Sequence, residues 1–355
     1  MTSNELQTEL QAGLQTGLGK ELQKELQPEL RMDRRLHVYI IKAKLKNFVF
    51  KVLFFSLVIG LGFAILYPII KLLPVVFNDL EDLGNPDVIW VPIEFSAVSF
   101  QAAIRLVYGN GLPILQTVAY AAFIAVIQIM VSAIAGYSLG RVDFWGRNVV
   151  MFLVILTFVV PPQSLLISQY LSFKHFDPFG VVSLLNGKPV DLINEPFTLY
   201  LLALFGFGVK QSMFVFLFRQ FFKGQAKELE EAAYIDGCGF YRTFVKIGLP
   251  NAMPAIMTVG ILAFVWNYGD TYYTGYFHPD GPYLSNRLAM TFSSANVNNI
   301  LFAVRTWYNV PGATTFAFDA VKQAAAIIYL LPLLIVYFIS QKRIVENFEQ
   351  SGIVG

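Results

Sequence analysis

The sequence holds a single cysteine, Cys238, only three histidines and little charge, with Asp, Glu, Lys and Arg together making up 14% of 355 residues. One cysteine excludes an intrachain disulfide and leaves the redox compartment open. The shortage of charge stands against 55% hydrophobic and 15% aromatic residues and a mean hydropathy of +0.55. That balance excludes an ordinary pair of soluble domains and points to a polytopic membrane protein. A net charge of +2 is too small to suggest a nucleic-acid partner. There is no GxxxxGK[ST] phosphate loop. The chain does not open on a basic-then-apolar signal peptide, so its first span is expected to serve as the insertion signal.

What is present in quantity is long apolar runs. A bilayer core about 30 Å thick needs roughly 20 apolar residues at 1.5 Å rise each. Six runs approach that length: Val52–Ile70, Gly111–Gly140, Asn148–Phe173, Thr198–Phe222, Ile247–Gly269 and Gln323–Gln341. The fourth is interrupted by Lys210. The expected fold is therefore all-α, with six transmembrane helices over 48–342, a cytoplasmic arm over 1–47 and a cytoplasmic tail over 343–355. Loop cations set the orientation. Arg141, Arg147, Lys223, Lys227, Arg242 and Lys246 join the basic N-terminal arm and the Lys342–Arg343 pair on one side. Longer loops on the other side hold few cations, so both termini are expected in the cytoplasm.

The arm places leucine every fourth position from Leu6 to Leu30. A period of four drifts about 40° per step, so no straight coiled-coil seam results. Gly13, Gly17 and Gly19 weaken helix there and Pro28 is expected to end it. Two readings stand: a frayed low-complexity arm, or an amphipathic helix on the inner leaflet. On the opposite side, the segments around Asn78–Asn110 and Tyr272–Ala317 are expected to fold as solvent-facing caps.

The most informative stretch is EEAAYIDGCGFYRTFVKIGLP, Glu230 to Pro250, between the fourth and fifth runs. Strong helix formers fill Lys227–Asp236, with Glu228, Glu230 and Glu231 in early turns where the macrodipole favours acids. Gly237 and Gly239 can take the left-handed conformation that ends a helix. A second short helix follows, separated from the fifth span or kinked into it by Pro250. Ala232 and Ala233 leave one side without bulk, which suits a helix settling into a partner's groove while Glu231 reaches a cation there.

The spacing of Glu231-Ala232-Ala233, Gly237, Ile247 and Leu249-Pro250 resembles the EAA loop of ATP-binding-cassette importer permeases. AGYSLGRVDFWGR, VVPPQSLLISQY, Trp266-Asn267 and QKRIVENFEQSGIVG are similar to the carbohydrate-uptake branch, the maltose-type permease subunit with six spans. The likeness runs from about Phe48 to Gly355. Two positions depart from the pattern: Ala226 stands where a proline often opens the loop helix, and Val354 where a lysine usually precedes the last glycine. The departure at Val354 puts a tail contact with the ATPase in doubt. The resemblance implies a type I importer permease that is not itself an enzyme. It implies an ATPase dimer that holds ATP and magnesium, a second permease subunit, an external solute-binding protein, and a site in the plasma membrane of a prokaryote. No cofactor or metal is expected on this chain. Glu231, Ala232, Ala233, Asp236 and Gly237 would dock the ATPase, with Ile247, Leu249 and Pro250 setting the pose of the loop.

Several weaker signals have plainer explanations beside the functional ones. GYSLG, Gly136–Gly140, matches a nucleophile-elbow pattern around Ser138, but a span end and the absence of a span histidine favour simple close helix packing. Pro161 and Pro162 break a helix ladder, which is tolerable only against protein or water. Lys210 reads two ways: it lines a translocation path with Gln211 and Asn267, or the span begins near Leu204 and Lys210 snorkels outward. Asn267, Tyr268, Asp270, Tyr272 and Tyr273 suit sugar stacking, but equally an interfacial aromatic belt. A secondary transporter is the main rival class, although the spans hold almost no acids and no inverted repeat is visible. The same importer architecture carrying a polyamine, an inorganic anion or glycerol phosphate also stands.

Overall fold

The computed structural model describes residues 17–85 and 90–352, with side chains over 42–85 and 90–342 and at Tyr39. Residues 1–73 and 74–355 form two compact units. The principal helices are α1 Gly17–Phe77, α2 Val98–Ala103, α3 Leu112–Arg141, α4 Arg147–Val159, α5 Pro162–Lys174, α6 Pro196–Leu204 and α7 Gln211–Gly224. They continue as α8 Glu228–Ile235, α9 Phe240–Thr243, α10 Met253–Tyr268, α11 Leu284–Thr291, α12 Val297–Tyr308 and α13 Thr315–Gly352. Among the described residues there is no strand, only two isolated bridges. The fold is all-α, as the apolar runs require.

In the first unit, α1 is helical from Gly17 onward and passes through Pro28 without stopping. The expected break at Pro28 does not occur. Leu, Glu, Gln and Lys on both sides are strong helix formers and carry the ladder across the one missing N–H. Residues 1–16 of the arm lie outside the described set.

Not all of the six apolar runs are plain helices. Among the described residues, three helices are long and apolar enough to cross a membrane unbroken, over Lys42–Phe77, Leu112–Arg141 and Thr315–Lys342, and two bent pairs raise the number to five if each is one span. The third run is α4 and α5, bent by 100° at Val160–Pro161, where Pro161 and Pro162 both lack the N–H a helix needs. The fifth is bent by 74°: Ile247–Asn251 belongs to the loop helix, and α10 begins only at Met253, with Pro254 in its first turn. The fourth run is not one helix. It stops at Leu204 and resumes at Gln211, across Gly206 (φ 86°) and a left-handed Lys210 (φ 55°). α13 runs beyond the expected end of the sixth span to Gly352 and tolerates Pro332 inside it. Residues 353–355 of the tail, including Val354, lie outside the described set.

α3 is the central helix, lying against α6, α7 and α10. Its small residues let α7 approach closely. A Cβ at Gly136 would stand 2.5 Å from Phe218 Cβ and 2.8 Å from the Arg219 nitrogen, and one at Gly140 would stand 3.2 Å from the Arg219 carbonyl. Gly136 and Gly140, read from sequence as packing residues, do occupy a tight helix crossing. The register is parallel: Gln128 meets Val209, Gly136 meets Phe218 and Gly140 meets Phe222. The C-terminal ends of α3 and α7 therefore lie side by side.

At the other end of α3 the chain folds into short helices. Asp270 is buried and caps the turn that follows, accepting from the Thr274 nitrogen at 2.8 Å and the Tyr272 nitrogen at 3.2 Å. Thr117 donates to the Pro282 carbonyl at 3.3 Å and accepts from the Leu284 nitrogen at 3.1 Å. Asn194 and Asp280 bond each other twice. Tyr283, Leu284, Ile300 and Val304 are buried, so the Tyr272–Ala317 segment is folded.

Candidate functional site: a surface loop and a broken span

The loop from Lys227 to Ala252 is built as two helical pieces around a tight turn. α8 ends in paired bonds: the Gly237 nitrogen donates to the Tyr234 carbonyl at 3.1 Å, and the Cys238 nitrogen to the Ala233 carbonyl at 2.9 Å. This 5→2 and 6→1 pairing requires a left-handed residue between, supplied by Gly237 at φ 81°. Gly239 is extended and instead begins α9, its carbonyl accepting from the Thr243 amide and hydroxyl. The helix then widens into a π turn over Phe244–Gly248 and closes with Leu249–Asn251.

The structure distributes the sequence-derived docking residues over two faces. Glu231, Ala232, Asp236, Gly237 and Pro250 are exposed, while Ile247 and Leu249 are half-buried. Ala233 is turned inward and buried, so its small side admits the body of this chain and is not open to a partner. The outward face carries apolar side chains that the motif did not flag: Leu229, Ile235 at 87% exposure and Tyr241 at 77%. A run of large apolar residues held in water is the signal that could have found them.

The inner attachment centres on the end of α3. Tyr137 is buried, with its ring 5.1, 5.3 and 4.8 Å from those of Phe222, Phe240 and Phe244. Gly248 leaves room for it, since a Cβ there would lie 3.3 Å from the Tyr137 ring. Beside it, Arg141 Nε stands 3.1 Å from Glu230 Oε1, with only 5% and 12% of the two side chains exposed. Arg141 Nη2 also donates to the Gln225 carbonyl at 2.6 Å, and Arg219 Nε to the Leu139 carbonyl at 3.2 Å. Cations at helix C-termini satisfy carbonyls that have no partner in the helix. The sequence showed Arg141 as a cation within AGYSLGRVDFWGR and Glu230 as an early-turn acid of the loop, but nothing in it paired the two.

Half-way along α3 lies the second region. The gap between α6 and α7 leaves irregular backbone among apolar helices, where unpaired polar groups are costly. Buried amides fill the need. Asn267 Nδ2 donates to Gln128 Oε1 at 2.7 Å, and Gln128 Nε2 to the Val209 carbonyl at 3.1 Å. Gln211 accepts from the Gly208 nitrogen at 3.0 Å and donates to the Ala203 carbonyl at 2.7 Å. Gly208 fits only because it has no side chain, a Cβ there meeting Gln128 at 2.4 Å. Gln211 and Asn267 are therefore engaged inside the chain. Gln128, the hub of these bonds, was missed; a lone amide within an uncharged run is its only sequence signal.

Lys210 differs from both. It is exposed and takes part in neither of the two ion pairs formed among the described residues. It lines a cavity of about 70 Å³ with Gln169, Gln211, Ser212 and Tyr273, walled by both breaks, at Val160–Pro162 and at Gly206–Lys210. Its ammonium lies 5.7 Å from the Phe158 ring centre. Tyr268 and Tyr329 exchange hydroxyl-to-carbonyl bonds at 2.9 and 3.0 Å, and Asp270 serves as a cap. The tyrosine pair joins α10 to α13, and Asp270 holds the cap segment in place.

The chain has counterparts among known proteins. Residues 128–350 match the family described as the inner membrane component of binding-protein-dependent transport systems. The chain belongs to this family. It is 27% identical over 247 residues to the alpha-glucoside transport system permease protein AglG of Rhizobium meliloti, covering 70% of this chain and 57% of that one. It is 24% identical over 320 residues to the polygalacturonan/rhamnogalacturonan transport system permease protein YtcP of Bacillus subtilis, covering 88% and 99%. The match to AglG thus spans little more than half of that relative's length. The fold is that of a chain in the crystal structure of a bacterial ABC transporter involved in import of the acidic polysaccharide alginate, with a TM-score of 0.62, 20% identity and coverage of 83% and 96%. It is accordingly a membrane transport component with an ABC importer permease fold.

Proposed function

We propose that the chain is one permease subunit of an ATP-driven importer and forms half of the path for a carbohydrate, in the size range of an oligosaccharide. Sugar cargo is supported by the names of the relatives, which refer to transport of alpha-glucosides and of polygalacturonan/rhamnogalacturonan. ATP and magnesium would reside in a separate ATPase dimer, and a second permease subunit and a solute-binding protein would complete the assembly. Both termini lie in the cytoplasm on this reading, which places the adjacent ends of α3 and α7, and the loop, on the ATPase side. The observation that carries the coupling role is the outward face of α8, where Glu231, Ala232, Ile235 and Asp236 stand exposed, with Tyr241 exposed in α9. Apolar anchors flanked by acids suit helix-in-groove recognition of a basic cleft.

The cavity walled by the two breaks is the proposed segment of the translocation path. Lys210 would face the cargo, with Gln211 and Asn267 setting the shape of the break behind it. Purification of the native complex in mild detergent, with components identified by mass spectrometry, tests the assembly. Recovery of an ATPase, a second permease and a binding protein is the expected result. Recovery of the chain alone after chemical cross-linking in the membrane would contradict it.

A further inference from the structure

α8 faces the body of the chain through Glu230, Ala233 and Tyr234. Ala233 is its one buried residue, Glu230 lies one turn earlier on the same face, and Tyr234 stands beside the Tyr137 hydroxyl. Glu230 meets Arg141, the last residue of α3. That arginine also holds the Gln225 carbonyl at the C-terminal cap of α7, and Arg219 ties α7 back to Leu139. One guanidinium thus joins the end of the docking helix to two parallel helices at once. From there α3 continues without interruption to Gln128, which bonds both the broken segment at Val209 and Asn267 of α10.

Two features favour a mechanical role over simple glue. A buried pair is costly to desolvate, and an apolar contact of equal volume would hold α8 in place at least as well. Arg141 Nε and Glu230 Oε1, though 3.1 Å apart, are not aligned as a hydrogen bond, so the link is charge attraction across a short gap. Such a link resists separation while permitting rotation, whereas the aromatic contacts of Tyr137 fix the distance beside it.

We propose that the Arg141–Glu230 pair is a strut that passes displacement of α8 along α3 to the broken segment and its cavity, making both residues positioning residues for transport. The proposal rests on the reading of α8 as the ATPase-docking helix.

The test uses the full complex purified from its native host, in a background with Cys238→Ser and a reporter Ser212→Cys beside Lys210. A maleimide labels the reporter with and without ADP–vanadate trapping. Without strut substitutions, trapping should change the labelling rate by at least about fivefold. Arg141→Glu or Glu230→Arg alone should abolish most of that change, because each leaves a buried charge facing its like. Glu230→Gln, which keeps the shape, should do the same, and the double exchange Arg141→Glu/Glu230→Arg should restore at least about half of the response, the bond to the Gln225 carbonyl alone staying lost. A response that survives the single variants, or that the double exchange does not restore, overturns the strut. The ATPase retained per permease, measured in the same samples, reports docking separately. Its absence without strut substitutions overturns the docking reading and the strut with it. If it is lost in the single variants and regained in the exchange, the pair only seats the ATPase, and transmission along α3 is overturned.

Discussion

α3 is gripped at two places by different chemistry. At its C-terminal end, a charge pair and a tyrosine ring attach a loop whose other face is open to water. At its middle, one neutral amide secures a broken helix whose polar groups are largely bonded within the chain. The difference follows from where polar groups can find partners. Among apolar helices there is little water to accept an unpaired carbonyl, so a gap in the ladder has to be filled by buried side chains. At the loop, water serves the outward face, and only the inward contacts are specified. The middle is therefore built to hold its shape, and the end is built to be grasped.

That contrast makes graded predictions. The largest effect is expected where both regions depend on the same crossing. Gly136→Leu forces a side chain into the Phe218–Arg219 backbone and should cost about 3 kcal/mol or more, read as loss of monodisperse protein or a lowered unfolding midpoint in detergent. Gln128→Leu should cost about 2 kcal/mol, because it strands the Val209 carbonyl and leaves the Asn267 amide only its bond to the Ala263 carbonyl; a midpoint unchanged from wild type would show that the break is held some other way. Gly237→Ala should cost about 1 kcal/mol, since nothing crowds a Cβ there and only the left-handed backbone objects. Lys210→Met should change the same midpoint by no more than about 0.5 kcal/mol, as befits an exposed side chain outside both ion pairs. A large loss there would mean that Lys210 holds the break together and is not free to face a cargo.

The sequence made the all-α class, the apolar runs and the loop legible, because hydrophobic length and fixed residue spacing are local properties. It did not reveal that three of the runs are broken. Pro161 and Pro162 warned of a bend, but its 100° size depends on what packs around it. Gly206 and Gly208 were lost in an apolar stretch, and Lys210 read as a charge inside a span or snorkelling from one that begins near Leu204, when it stands left-handed at the N-cap position of the next helix. Ala233 was assigned outward because composition alone cannot say which face of α8 meets its own chain. Gln128, Arg141 and Glu230 act through partners 81, 84 and 89 positions away or more, and pairings at that distance leave no local pattern.

The central claim is that the open face of α8 is where an ATPase docks. A photo-cross-linking residue placed at Ile235, the most exposed large apolar side chain on that face, tests it directly in intact membranes. The account predicts an adduct whose second component is an ATP-hydrolysing subunit. An adduct with any other protein, or none while the ATPase still co-purifies with the chain, would contradict it.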